Sequence, residues 1–234
     1  MLACRYDILI PSERPLKVKK KRQALPKEVR KQQLIHATIN CIARHGLSAI
    51  TMARVTQEAG LSMGIANLHF ESKENLLKET LLYVTEEYNK GQRTILESGD
   101  FASTAEKIQA LLDFHFSVAV TQETKMAVWF AFYGEAKSRP TYQKVCSLSD
   151  TEAALAVQQL FALAIREGKY HNLDAGFLAA GYTALIDGLW LNMLTAPEQL
   201  NRNSAKKVAR HYLANAFPDH ITREGEGGLT VGAL

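Results

Sequence analysis

The chain has 234 residues, 47% of them hydrophobic and 22% charged, the balance of an ordinary globular protein with enough material for a buried core. No stretch reads as the ~18 consecutive apolar residues of a membrane span. The first residues carry no signal-peptide pattern, and Cys4, Cys41 and Cys146 are too scattered for a disulfide framework or a zinc site. The net charge of +4 is unevenly placed: residues 1–31 hold ten basic side chains against Asp7, Glu13 and Glu28, a local +7, and the rest sums to −3. A basic end on an acidic body suits a polyanionic partner. The expectation is a soluble, cytoplasmic protein of a reducing compartment with no membrane partner.

In chain order, residues 1–26 contain three prolines, a Lys/Arg run and no hydrophobic period, and are expected to form a flexible basic arm. A helix is expected over 27–45, with Leu34, Ile35, Ile39 and Ile42 on one stripe and Gly46 ending it. Thr51 stands where an N-cap belongs, ahead of Met52, Val55 and Ala59, and Gly60 breaks that short helix. Ser62 caps another running to about Phe70, and Ser72 caps a long one reaching about Leu96. From Thr104 one stripe carries Ile108, Leu111, Leu112, His115 and Phe116, and the next carries Met126, Trp129, Phe130 and Tyr133. Helices follow over 141–167, ending at Gly168, then 174–195 and 203–217, closed by Pro218. Alternating Val/Ile/Thr runs and hairpin dipeptides are absent, so the fold class is all-α. Residues 219–234 lack an apolar period and are expected to be a disordered tail.

The functional signal lies in TMARVTQEAGLSMGIANLHF, residues 51–70. Two short helices joined by a glycine-led turn within about twenty residues make a helix-turn-helix. Its second helix would enter the major groove of DNA, N-terminal residues foremost. Small side chains there (Ser62, Met63, Gly64, Ala66) permit close backbone approach, and Asn67 and His69 can bond to bases or phosphates. Thr51, at one helix start, and Ser72 with Lys73, at another, suit phosphate contact, and Arg54 divides evenly between a phosphate and a solvated surface charge.

The run from Arg30 to Leu77 resembles the DNA-binding domain of the tetracycline-repressor (TetR) family of bacterial regulators. The matching features are Gly46, Thr51, the Ala59-Gly60-Leu61-Ser62 turn, Gly64, the His69-Phe70 pair and Lys73. The resemblance implies DNA contacts at Thr51, Ser62, Met63, Gly64, Asn67, His69 and Lys73, with Phe70 packed between helices. Thr56 and Asn67 stand where the family usually has alanine and tyrosine. It also implies three parts within 27–234: a three-helix DNA-binding domain over 27–75, a helical effector-binding and dimerisation domain over 76–218, and the tail.

IREGKYHNLDAGFLAAGYTALIDGLWLNML resembles the family's final helices, which pair two subunits as a four-helix bundle. Phe177, Leu178, Gly181, Tyr182, Leu185, Gly188, Leu189 and Met193 would supply that homodimer surface, part of which must also be intrachain core. A dimer would set two recognition helices about one DNA turn apart, matching a pseudo-palindromic operator in double-stranded DNA. MAVWFAFYGEAKSRP, with Trp129, Ala131-Phe132 and Pro140, and the later Gly188-Leu189-Trp190-Leu191 resemble the choline-responsive betaine-synthesis repressor (BetI) subgroup. Phe116, Trp129, Phe132, Tyr133, Tyr182 and Trp190 are the aromatic inventory for caging a quaternary ammonium effector, with Glu135, Asp113 or Asp187 as counter-charge. His115 reads as a hydrogen-bonded core histidine. Hydrolase, P-loop, zincin and dinucleotide motifs are absent, so no catalytic residue, metal or cofactor is expected. The function read here is a dimeric repressor released from its operator by a small molecule. The alternatives are an all-α small-molecule enzyme and an architectural DNA binder driven by the basic arm.

Overall fold

The computed structural model describes residues 26–222; most of the expected basic arm and residues 223–234 of the expected tail lie outside the described residues. Nine α-helices and no strand occur among the described residues: α1 Lys27–His45, α2 Met52–Ala59, α3 Met63–Phe70, α4 Lys73–Glu97, α5 Thr104–His115, α6 Glu123–Ala136, α7 Pro140–Gly168, α8 Ala175–Thr195 and α9 Arg202–Ala216. The all-α expectation holds, and most boundaries fall within a residue or two of the punctuation marks that predicted them.

Local chemistry explains the starts. The Thr51 hydroxyl accepts the Arg54 N–H at 3.1 Å, Ser62 that of Ile65 at 3.4 Å, and Ser72 that of Asn75 at 3.1 Å. Ser103, Asp174 and Asn201 cap α5, α8 and α9 in the same way, each such cap contributing about 1 kcal/mol. Gly60 ends α2 at φ 62°, a left-handed geometry that a Cβ disfavours. At the end of α7 the expectation shifts by one residue. Lys169 takes the left-handed position at φ 51°, and Gly168 is small because a Cβ there would overlap the Tyr170 ring. Residues 219–222 are ordered on the body: Ile221 is buried, and His220 Nδ1 lies 2.9 Å from the Tyr170 hydroxyl.

Helices α1–α3 close around Leu34, Ile42, Ile50, Val55, Ala66 and Phe70. Helices α4–α9 close around Leu81, Leu111, Leu112, Phe132, Phe161, Tyr182 and Leu213. Head and body are joined firmly. α4 runs unbroken across the junction expected at 75/76, and α1 packs on both α4 and α6. Lys31 meets Glu79 at 3.1 Å, and Arg139, after α6, reaches Glu74 in the first turn of α4 at 3.2 Å. Contrary to the sequence expectation, α8 is long and apolar enough by length and composition to cross a membrane, at a mean hydropathy of 1.3.

Candidate DNA interface and effector cavity

The helix-turn-helix is built from α2, α3 and the turn between them. The Gly60 N–H bonds the Gln57 carbonyl at 3.2 Å, and the Leu61 N–H bonds that of Thr56 at 3.0 Å. α1 braces the motif from behind. Gln33 Nε2 donates to the Ala59 carbonyl at 2.7 Å, and Arg44 forks onto both carboxylate oxygens of Glu58 at 3.1 and 2.6 Å. Ala66 and Phe70 fix the buried side of α3, which leaves Ser62, Met63, Gly64, Asn67 and Leu68 on the exposed side. Thr51, exposed, spends its hydroxyl on the cap. Arg54 donates to the Ala49 carbonyl, so this guanidinium is partly engaged within the head. His69 is half-buried beside Phe70; burial, then Lys27, lower its pKa, keeping the imidazole neutral near pH 7. Lys73 is half-buried in the first turn of α4. Leu68, at 69% exposure, belongs to this face and was missed by sequence reasoning. Its i+4 spacing from Gly64 was the available signal.

A cavity of about 100 Å³ opens between α4, α5 and α6, walled by Val84, Tyr88, Phe114, Ala119, Val120 and Trp129, with Glu87 and Lys125 at its charged edge. Trp129 and Trp190 stack at 5.4 Å, and Tyr88 stands edge-on to both at 5.3 and 5.7 Å. Trp190 Nε1 donates to the His115 carbonyl at 3.0 Å, and His115 Nδ1 lies 2.9 Å from the Tyr182 hydroxyl. Burial pushes His115 down to about 3 and raises Tyr182 well above its ordinary value, so both are neutral. The His115 Nε2 atom has no hydrogen-bond partner among the described residues.

The structure therefore brings Trp129, Tyr182 and Trp190 together and separates the other predicted aromatics. Phe116 is buried one residue beyond His115, as the C-cap of α5. Phe132 is fully buried edge-on to Tyr142 at 5.0 Å, and Tyr133 is exposed beside Phe130, because neighbouring positions on α6 face different sides of the helix. The expected counter-charges are occupied elsewhere: Glu135 holds Arg139 at 3.3 Å, Asp113 holds Lys206 at 2.5 Å, and Asp187 has contacts of its own. Glu87 is the acid at the cavity. Tyr88 and Glu87 were missed, although Leu77, Leu81, Val84 and Tyr88 keep a helical i, i+4, i+7, i+11 stripe that aims Tyr88 inward.

The expected dimer residues also divide. Tyr182 and Leu189 are buried within the single chain, while Leu178, Leu185 and Met193 are half-buried. Gly181 is small for an intrachain reason: a Cβ would come within 2.5 Å of the Tyr212 hydroxyl, which donates to the Leu178 carbonyl at 3.1 Å. Phe177, 83% exposed, and Gly188 do face outward, on a stripe completed by Ala180, Ala184 and Leu191. The adjoining α7 exposes Leu148, Leu155 and Leu163.

Comparison with known proteins matches residues 34–80 to the family described as bacterial regulatory proteins, tetR family, and residues 104–218 to that described as BetI-type transcriptional repressor, C-terminal. The chain is 30% identical over 185 residues to the HTH-type transcriptional regulator BetI of Proteus mirabilis, covering 79% of this chain and 90% of that one. It is 30% identical over 190 residues to the BetI of Vibrio vulnificus, covering 81% and 92%. The chain belongs to the TetR family. Its C-terminal domain is of the BetI type, and it is a DNA-binding transcriptional regulator. The fold agrees with a transcriptional regulator from Pseudomonas aeruginosa PAO1 at a TM-score of 0.73 and 26% identity, over 87% of this chain and 97% of that one. It also agrees with a regulator from Saccharomonospora viridis, solved with choline, at 0.72 and 20%, over 80% and 96%.

Within this TetR-family head the two departures have different weights. Thr56 is buried, and its hydroxyl bonds the Ala53 carbonyl at 3.0 Å, so the extra polar atom is satisfied locally. Asn67 is exposed on the outer face of α3, where its amide is available to a ligand.

Proposed function

We propose that the regulator acts in the bacterial cytoplasm as a homodimeric repressor of a pseudo-palindromic operator, released when a small quaternary ammonium compound enters the α4–α6 cavity. The observation that carries the effector class is the aromatic part of the cavity wall, Tyr88, Phe114 and Trp129, with Trp190 stacked on Trp129. Aromatic faces attract a weakly hydrated cation by about 0.5–2 kcal/mol per ring. A cavity of about 100 Å³ is small for a drug-sized ligand, and is nearer the scale of an engineered cavity of about 150 Å³ that admits benzene. The choline complex of the S. viridis regulator, which shares the fold, agrees with that reading.

On the DNA side, Ser62, Met63, Gly64, Asn67 and Leu68 would face the major groove, and Thr51, Arg54, His69 and Lys73 the backbone. Asn67 can pair bidentately with adenine, and Leu68 can meet a thymine methyl. The dimer would form on the stripe of Phe177, Ala180, Ala184, Gly188 and Leu191 with the α7 leucines. Only 28% of the most apolar window of α8 is buried within one chain, and a Cβ at Gly188 would meet open space. Ligand that prefers a head spacing unsuited to the operator would weaken DNA binding about 5–150-fold, the range of a 1–3 kcal/mol coupling. Footprinting upstream of the regulator's own gene, with and without choline, tests the proposal. A protected pseudo-palindrome that choline clears is expected; protection indifferent to every quaternary ammonium tried would refute the effector assignment.

A further inference from the structure

Two charged side chains meet at the edge of the aromatic cavity. Lys125, in the first turn of α6, places its Nζ 2.7 Å from Oε1 of Glu87 on α4. Glu87 and Lys125 are the charged residues among the cavity's walls, the others being apolar or aromatic. The wall is therefore electrically neutral as it stands, and an incoming cation meets a carboxylate that already holds one. The carboxylate side chain is 46% exposed and that of Lys125 20%, so the ammonium has a path to water along its flexible stem.

We infer that Lys125 is a resident competitor for the effector: its ammonium occupies Glu87 in the empty protein, and a quaternary ammonium ligand binds by taking its place. This rests on the effector reading above and names the groups that read the ligand's charge. The exchange is chemically selective. A primary ammonium is compact, strongly hydrated and rich in N–H donors, so it gives up little on returning to water. A quaternary ammonium has no N–H donor, and gains more from the Trp129 and Tyr88 rings than water offers it. Glu87 supplies the long-range attraction that a neutral molecule of the same shape lacks. Lys125 in turn raises the ligand concentration needed for response, because every binding event must break the α4–α6 ion pair.

The chain's two tryptophans, Trp129 and Trp190, both lie in this cluster, so intrinsic fluorescence reports on it directly. Choline and its neutral isostere 3,3-dimethyl-1-butanol would be titrated into the full chain and the K125Q and E87Q variants, with circular dichroism confirming that each is folded. Wild type should bind choline more tightly than the isostere. In Lys125→Gln choline binding should tighten about two- to fivefold, the worth of a partly exposed ion pair, with the isostere unchanged. In Glu87→Gln the preference for the cation should fall, because the Trp129 and Tyr88 rings remain but the carboxylate is gone and the Lys125 charge is left at the cavity without it. Choline binding that is unchanged or weaker in K125Q, or a cation preference undiminished in E87Q, overturns the inference and leaves the effector reading standing. A wild-type protein whose fluorescence responds to no quaternary ammonium overturns both.

Discussion

His115 offers a quantitative test of the body's packing. It is 2% exposed among Tyr88, Phe114, Tyr182 and Trp190, and burial lowers its pKa to about 3, against 6.5 when unfolded. Above pH 6.5 the ring is neutral in both states and contributes no pH dependence. As the pH falls below 6.5 the unfolded chain takes up a proton that the folded chain refuses, so stability is lost at about 1.4 kcal/mol per pH unit until about pH 3. Between pH 7 and pH 5 the loss from this one group is about 2 kcal/mol. Carboxylates and other histidines titrate as well, so the informative quantity is a difference. Urea unfolding at fixed protein concentration would be followed at pH 7 and pH 5 for wild type and His115→Gln. The variant loses a Tyr182 contact and is less stable at both values, but its decline with acid should be about 2 kcal/mol shallower. Parallel declines would refute a buried, neutral His115 and with it the packing assigned to α5 and α8.

Other predictions address the interfaces. Leu191→Glu places a charge on the exposed stripe of α8 and should convert dimer to monomer in sedimentation velocity, leaving the helical circular dichroism intact; an unchanged dimer would move the interface elsewhere. Asn67→Ala should cost about 1–3 kcal/mol at one operator base pair and relax preference there. Lys73→Ala should weaken binding uniformly across sequences and lower the salt slope by about 1. Competition binding on a set of single-base operator variants separates the two outcomes. Removing residues 1–24 should weaken affinity and reduce its salt dependence while keeping sequence preference, because that segment carries seven basic side chains against Asp7 and Glu13, a net +5, whereas the charge between residues 32 and 75 balances at zero. Loss of preference in the same titration would show that the arm reads bases.

The architecture was legible because this chain punctuates its helices with caps and breakers that act locally. Thr51, Ser62 and Ser72 each satisfy a backbone N–H three residues on, and Gly60 adopts the left-handed turn that its position requires. The site was only partly legible, because it depends on how helices far apart in sequence rotate against each other. Trp129 and Trp190 meet across 61 residues of chain, whereas Phe132, three residues beyond Trp129, turns to Tyr142 on α7. Tyr88 stands out less in sequence, because it lies within the long helix that joins the two domains, yet it is a cavity wall as well. The small residues of α8 illustrate the same limit. Gly181 makes room for Tyr212 of its own chain, and Gly188 faces open space, though the two glycines look alike in sequence.

On the proposed reading α3 selects the DNA sequence, and the basic arm adds grip. That reading is tested most directly by measuring affinity for the footprinted operator and for a scrambled duplex across a salt titration. The operator should remain at least about 10³-fold favoured at physiological salt. Affinities that fall together, with no operator preference left at that salt, would contradict that reading and make the protein a binder driven by charge alone.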